Sequence, residues 1–115
     1  MKVGEYVRTR WGCIAKFEGI NEEFYEFDNI IMDESSAVRK ELFVDIVEKS
    51  SPNIIDLIEK FDLVNGHLVI CKMYEDEKDI PTIIKCVGDY YFKEEDIKSI
   101  VTKEQFESME YRIGE

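Results

Sequence analysis

The chain has 115 residues, of which 44% are hydrophobic and 12% aromatic, and 26 acidic residues outnumber 15 basic ones to give a net charge of −11. This is the size of one domain, long enough to bury a core without disulfide or metal cross-links. Because a strongly negative surface repels phosphate backbones and anionic lipids, we expect no direct binding of nucleic acid or membrane.

The first predicted element is a β-hairpin from Tyr6 to Phe17 that turns at Arg10-Trp11-Gly12. A glycine in the third loop position suits a type I turn followed by a bulge, and this choice fixes the register of the two strands. The predicted inward face carries Val7, Cys13, Ala15 and Phe17, and the outward face carries Tyr6, Arg8, Lys16 and Glu18.

The next segments give signals of unequal strength. A third strand is predicted from Phe24 to Met32, with Tyr25 and Phe27 inward, followed by a polar loop from Asp33 to Ala37. Residues 41–47 allow either a strand, because several are β-branched, or a helix, because charged residues flank them.

A short amphipathic helix is predicted from Ser51 to Lys60. Ser51 is a favourable N-cap and Pro52 fits the first helical position. In that helix Ile54, Ile58 and Phe61 share one face.

The C-terminal half contains a second hairpin, from Leu63 to Ile70, in which Asn65-Gly66 suits a type I′ turn. Three more strands are predicted, at residues 82–87, 90–92 and 97–101. The sequence from Thr102 to Gln105 matches a capping box, which predicts a terminal helix through about Glu110.

These elements predict an α+β, mainly β fold with the character of a small SH3-like β-barrel and two short helices. We treat residues 1–115 as a single domain. Two barrel-like halves, about 1–50 and 60–115, remain an alternative, because Val3 to Val7 and Lys60 to Val64 share an acidic residue, a large apolar residue and a valine before a hairpin.

Four stretches resemble a group of uncharacterised small acidic proteins from phages and prophages of clostridia-like Gram-positive bacteria. They are residues 3–9, 51–59, 64–66 and 95–106. The resemblance implies a mobile-element origin and a mainly β fold, and it carries no catalytic residue. The group often has Gly-Asp before the second hairpin, where this chain has Phe61-Asp62.

No arrangement of residues predicts catalysis, a metal site or a cofactor. His67 is the only histidine, and it lies four residues before Cys71, too far along a strand for the two side chains to pair. The wide spacing of Cys13, Cys71 and Cys86 is unlike a structural zinc site or a disulfide framework. We therefore expect free, buried, structural thiols in a reducing cytoplasm, that of a bacterial host cell.

The candidate partner-binding residues are of two kinds. Arg8, Arg10 and Trp11 lie in a locally positive hairpin, and a tryptophan flanked by arginines is typical of an interface anchor. Whether Trp11 is exposed or folds back into the core is left open. The acidic residues Glu75, Asp76, Glu77 and Asp79 form a charged loop that would steer a basic partner.

Taken together, these features predict a binding protein rather than an enzyme. The leading hypothesis is a small phage-type protein that binds and inhibits a basic host protein, such as a nucleic-acid-binding defence nuclease, in the manner of anti-CRISPR proteins. The alternatives are a binding module for a small ligand or a nucleotide signal, and a structural β domain. The sequence does not indicate an oligomeric state.

Overall fold

The computed structural model describes residues 2–31, 34–75 and 79–108. Its backbone contacts divide the chain into two units, Met1–Leu57 and Ile58–Glu115. Each unit contains one five-stranded antiparallel sheet, so the prediction of a mainly β fold is confirmed. The described residues form three short helices rather than the two that were predicted.

Unit 1 is a four-stranded meander whose first strand also pairs with the fifth, which gives the strand order β4-β3-β2-β1-β5. Its elements are β1 (Tyr6–Thr9), β2 (Ile14–Ile20), β3 (Phe24–Phe27), β4 (Ala37–Arg39), α1 (Lys40–Ile46), β5 (Val47–Ser51) and α2 (Ile54–Leu57).

The predicted register of the first hairpin is confirmed. Tyr6 pairs with Lys16 and Val7 with Ala15, which leaves a three-residue loop. Val7 and Ala15 are buried, as is Phe17 two residues further along β2.

The core of unit 1 is aromatic at its centre. The Phe17 ring packs against Tyr25 and Phe27, with centroids 5.6 and 5.8 Å apart, and Phe43 of α1 packs against Tyr25 at 4.9 Å. These rings cover the inward face of the meander, where they bury large apolar areas.

Strand β3 is shorter than predicted, because polar side chains bend the chain directly after it. The Asp28 carboxylate accepts a hydrogen bond from Lys16 N at 2.7 Å, and the Asn29 amide donates to Ile14 O at 3.3 Å. The predicted polar loop that follows includes Ala37, but in the structure Ala37 is the first residue of β4. The predicted end of β3, Met32, lies outside the described residues.

The predicted amphipathic helix is reduced to the single turn α2. Ser51 ends β5 and accepts a hydrogen bond from Asn53 N, while the Asn53 side chain caps the turn by accepting from Ile55 N at 3.1 Å. Ile58 is buried, but Phe61 is 55% exposed, so the predicted common face is wrong.

Unit 2 has the strand order β10-β6-β7-β8-β9. Its elements are β6 (Leu63–Val64), β7 (His67–Tyr74), β8 (Pro81–Cys86), β9 (Tyr90–Lys93), a 3₁₀ turn (Glu94–Asp96), β10 (Ile100–Val101) and α3 (Lys103–Ser108).

Two local predictions in unit 2 are confirmed. Asn65 and Gly66 have φ angles of 52° and 82°, as a type I′ turn requires. Thr102 and Gln105 form the capping box, since each backbone N–H donates to the other residue's side-chain oxygen, at 3.1 and 3.3 Å. The predicted end of the helix, Glu110, lies outside the described residues.

The two units therefore share one topology. In each, the first strand lies between the second and the fifth, the second to fourth strands form a meander, and a helical segment precedes the fifth strand. Within the described residues, the two edge strands of each sheet do not pair with each other, so neither sheet closes into a barrel.

Candidate protein-interaction surface

The tip of the first hairpin is held by backbone hydrogen bonds. Gly12 N donates to Thr9 O at 3.0 Å, and Thr9 N donates to Cys13 O at 2.9 Å. Gly12 has a φ of 82°, a left-handed angle that glycine adopts without steric cost. The Thr9 hydroxyl also accepts from Cys13 N at 3.1 Å. A side chain on this loop is therefore presented by a well-defined backbone.

This tip presents Trp11 to solvent. Trp11 is 48% exposed and Arg10 is also exposed. The buried cluster of unit 1 is built from other side chains, so Trp11 is not one of its members.

The same tip lies beside the end of α1. Arg10 N donates to Ile46 O at 3.0 Å. We call Arg10 and Trp11 the hairpin-tip surface. It combines an exposed indole with a guanidinium, the composition of a protein-binding anchor.

Arg8 does not belong to this surface, which corrects the sequence-based assignment. Its side chain is fully buried, and Nη1 donates to Leu57 O at 3.0 Å. Leu57 is the last residue of α2, so the end of this helix lies against the Arg8 side chain and covers it on the face that alternation marks as outward. Arg8 is therefore a structural arginine.

The acidic segment lies in unit 2, directly after β7. Glu75 and Asp79 are exposed, as a charged loop requires. Asp76 and Glu77 lie outside the described residues.

Sequence reasoning did not anticipate exposed apolar side chains on the outer face of the unit 2 sheet. Leu68 and Met73 of β7 are each 39% exposed, and Tyr91 of β9 is 50% exposed. Cys71 of β7 and Tyr91 of β9 both pair with Lys85 of β8, so the two side chains lie on the same face of the sheet. The signal was present in the runs Leu68-Val69-Ile70 and Tyr90-Tyr91-Phe92, which are apolar on both faces of a strand.

The cysteines differ more than the sequence indicated. Cys86 is fully buried, Cys13 is half-buried and Cys71 is exposed, so the expectation of three buried thiols is wrong for Cys71. Burial raises the pKa of the Cys86 thiol above its ordinary value. Among residues 2–31, 34–75 and 79–108, no group of three or more His, Cys, Asp or Glu side chains is placed to hold a metal ion.

His67 is part of an aromatic stack at the start of β7. The centroid of its ring lies 3.9 Å from the ring centroid of Tyr90 and 5.7 Å from the ring centroid of Phe92. It is thus half-buried against β9 rather than free at a turn.

No helix in the described part of the chain has the length and apolar character needed to cross a membrane. The chain matches no protein-family model, no curated protein and no solved structure.

Proposed function

We propose that this chain is a phage-type protein that binds and inhibits a basic host protein through its hairpin-tip surface. The observation that carries the proposal is Trp11, which is 48% exposed on a hydrogen-bonded hairpin tip. Tryptophan and arginine are both enriched among interface anchors, because the indole offers buried area and the guanidinium offers directed donors.

Charge supports a basic partner. Unit 1 has 12 acidic and 7 basic residues, and unit 2 has 14 and 8, so both carry excess negative charge. Such a field accelerates encounter with a positively charged surface. A nucleic-acid-binding defence nuclease presents a positively charged surface of this kind. A chain that inhibits such a nuclease would be anti-CRISPR-like and would act in the cytoplasm of the bacterial host.

The fold proposed for each unit is an open variant of the SH3-like barrel. A meander whose first strand also pairs with the fifth, with a helical segment before that fifth strand, is the connectivity of that fold. Small β domains of this kind serve many functions, so the fold supports a recognition role without naming the partner.

The experiment is affinity capture from infected host lysate with three immobilised proteins: the wild type, Trp11→Ala and Val3→Ala. Val3 is 69% exposed in the same unit and is the matched control for loss of an exposed apolar side chain. We expect one basic protein on the wild type and on Val3→Ala. With that protein purified, Trp11→Ala should weaken binding by at least about 2 kcal/mol.

Thermal melts of the same variants distinguish an anchor from a core residue. An anchor leaves the Tm of Trp11→Ala close to that of the wild type. If melting collapses while the folded fraction binds as before, Trp11 is a core residue. If small molecules released by heating the purified chain account for its binding instead, it is a ligand-binding module.

A further inference from the structure

The N-terminal turn of unit 1 ends in a glycine bulge. Glu5 N donates to Lys2 O at 3.1 Å, which closes a turn with Gly4 in its third position at a φ of 95°. Gly4 N then donates to Phe17 O at 2.9 Å, while Phe17 N donates to Glu5 O at 2.7 Å. This is a type II turn followed by a G1 bulge, and both place glycine at the left-handed position.

Unit 2 has the same turn and bulge 57 positions later, with phenylalanine in place of the glycine. Asp62 N donates to Glu59 O at 3.1 Å, Phe61 N to Val69 O at 3.1 Å, and Val69 N to Asp62 O at 2.8 Å. Phe61 has a φ of 77°. A bulky residue at a left-handed angle is a conformational outlier, because its β-carbon crowds the backbone.

Folding does not explain this phenylalanine. Phe61 is 55% exposed, so burial does not offset the backbone strain. At the equivalent Gly4, a β-carbon would meet no atom within 4 Å, so that position too faces open space. Strain that persists without a packing gain is characteristic of functional sites.

We propose that Phe61 is a second anchor for the partner and that it accepts a cationic side chain, arginine or lysine, of a basic segment. This inference rests on the proposed function and adds a second contact point to it. The Phe61 ring already accepts a cation from its own chain, since Lys60 Nζ lies 5.1 Å from the ring centroid. A partner's guanidinium can take that place and stack on the ring face.

The net charge of unit 2 fits such an occupant, because this unit has 14 acidic and 8 basic residues. The turn that carries Phe61 is held in place by the buried Asp62 carboxylate, which accepts hydrogen bonds from Glu59 N at 2.8 Å and from Lys103 N at 2.9 Å, at the start of α3. Phe61 is therefore an exposed aromatic residue on a negatively charged unit, which is complementary to a basic segment that carries an apolar neighbour.

The test uses Phe61→Gly, Phe61→Tyr and, as the matched control, Tyr74→Ala, which removes an aromatic side chain that is 58% exposed elsewhere in unit 2. The probe is a displayed library of random 12-residue peptides selected on the wild-type chain. We expect selected peptides rich in arginine or lysine next to an apolar residue. Phe61→Gly should weaken their binding at least tenfold, while Phe61→Tyr and Tyr74→Ala leave it within about twofold.

The same variants report on folding. Phe61→Gly relieves the left-handed strain, so its Tm should rise by about 4 °C, whereas Phe61→Tyr keeps the wild-type Tm. A fall in the Tm of Phe61→Gly would show that Phe61 serves folding and would overturn the inference. Selection of no peptide, of acidic or neutral peptides, or of peptides that bind Phe61→Gly equally well would do so too.

Sedimentation of the wild type alone tests the other occupant. If the wild type is a dimer and Phe61→Gly is a monomer, the occupant of this site is a second copy of the chain. That result would refute the proposal of a basic segment. If the captured host protein depends on Trp11 but not on Phe61, this inference fails and the proposed function stands. If no host protein is captured while the peptides depend on Phe61, the proposed function fails separately.

Discussion

Gly4 and Phe61 occupy equivalent positions in the two units, each as the first residue of a bulge, with φ angles of 95° and 77°. Four backbone hydrogen-bonding groups recur on three residues of each unit at a constant spacing of 57 residues: Lys2, Gly4 and Glu5 correspond to Glu59, Phe61 and Asp62. These bonds fix the turn that leads into the first strand of each sheet. The two units therefore have the same backbone conformation at this position, although one has glycine there and the other has phenylalanine.

We expect Gly4→Ala to destabilise the chain by about 1 kcal/mol. Since the added β-carbon meets no atom within 4 Å, the whole effect comes from the left-handed angle. Urea unfolding monitored by Trp11 fluorescence measures it. Gly19→Ala, where a β-carbon likewise meets nothing and φ is not left-handed, is the control and should change stability by less than about half a kcal/mol.

Elements with strong local signals could be predicted from the sequence. The loop Arg10-Trp11-Gly12, the turn Asn65-Gly66 and the Thr102 capping box each depend on residues adjacent in the chain, and all three are confirmed. The correspondence between the segments that precede the two hairpins was also visible, as an acidic residue, a large apolar residue and a valine in the same order.

What depended on distant neighbours could not be predicted. Residues 40–51 divide into α1 and β5 because β5 pairs with β1, and nothing in the local pattern specifies that division. Arg8 is buried on a face that alternation marked as outward because the end of α2, at Leu57, lies against its side chain. The angle of Phe61 was hidden for another reason, since the glycine that normally marks such a turn is absent.

Arg8 should be important for stability and unimportant as a surface contact. Arg8→Ala removes a fully buried side chain and its donor to Leu57 O, so we expect a loss of about 2–4 kcal/mol. Arg10→Ala is the matched control, because Arg10 is exposed, and should change the free energy of unfolding by less than about half a kcal/mol. Equal effects of the two substitutions in urea unfolding would contradict the assignment of Arg8 as structural.

The Asn65 side chain should hold the segment before β10 in place. Its amide donates to Asp96 O at 2.8 Å, and its oxygen accepts from Lys98 N at 2.8 Å and Ser99 N at 3.1 Å. Asn65→Gly keeps the left-handed angle but loses all three bonds, so we expect a loss of about 1–3 kcal/mol. Asn65→Ala should lose more, because it adds the strain of a β-carbon at positive φ. Identical stabilities of the wild type and Asn65→Gly would show that these bonds contribute nothing.

The cysteines should react in the order of their exposure. Cys71 is exposed, whereas Cys86 is buried and its pKa is raised by burial. Because the thiolate is the reactive form, iodoacetamide at pH 8 should label Cys71 first and Cys86 only on unfolding, as read by peptide mass spectrometry. Because burial raises the pKa of the Cys86 thiol in the folded chain, this thiol loses its proton more readily in the unfolded chain. Stability should therefore fall as the pH rises through the ordinary thiol pKa of 9.0. Cys86→Ala should reduce that fall. Rapid labelling of Cys86 in the folded chain would contradict its burial.

The acidic segment after β7 should steer the partner rather than anchor it. Glu75 and Asp79 are exposed, and charges at a solvated rim act over about a Debye length, which salt shortens. Replacing Glu75, Asp76, Glu77 and Asp79 by their amides should therefore slow association with the captured host protein several-fold and flatten its salt dependence, while the dissociation rate changes little. Surface plasmon resonance at several salt concentrations separates the two rates. A faster dissociation with unchanged association would mean that these carboxylates are buried in the complex. If the association rate of the wild type does not depend on salt, charge is not the basis for partner choice. Specificity would then come from the apolar contacts of Trp11 and Phe61.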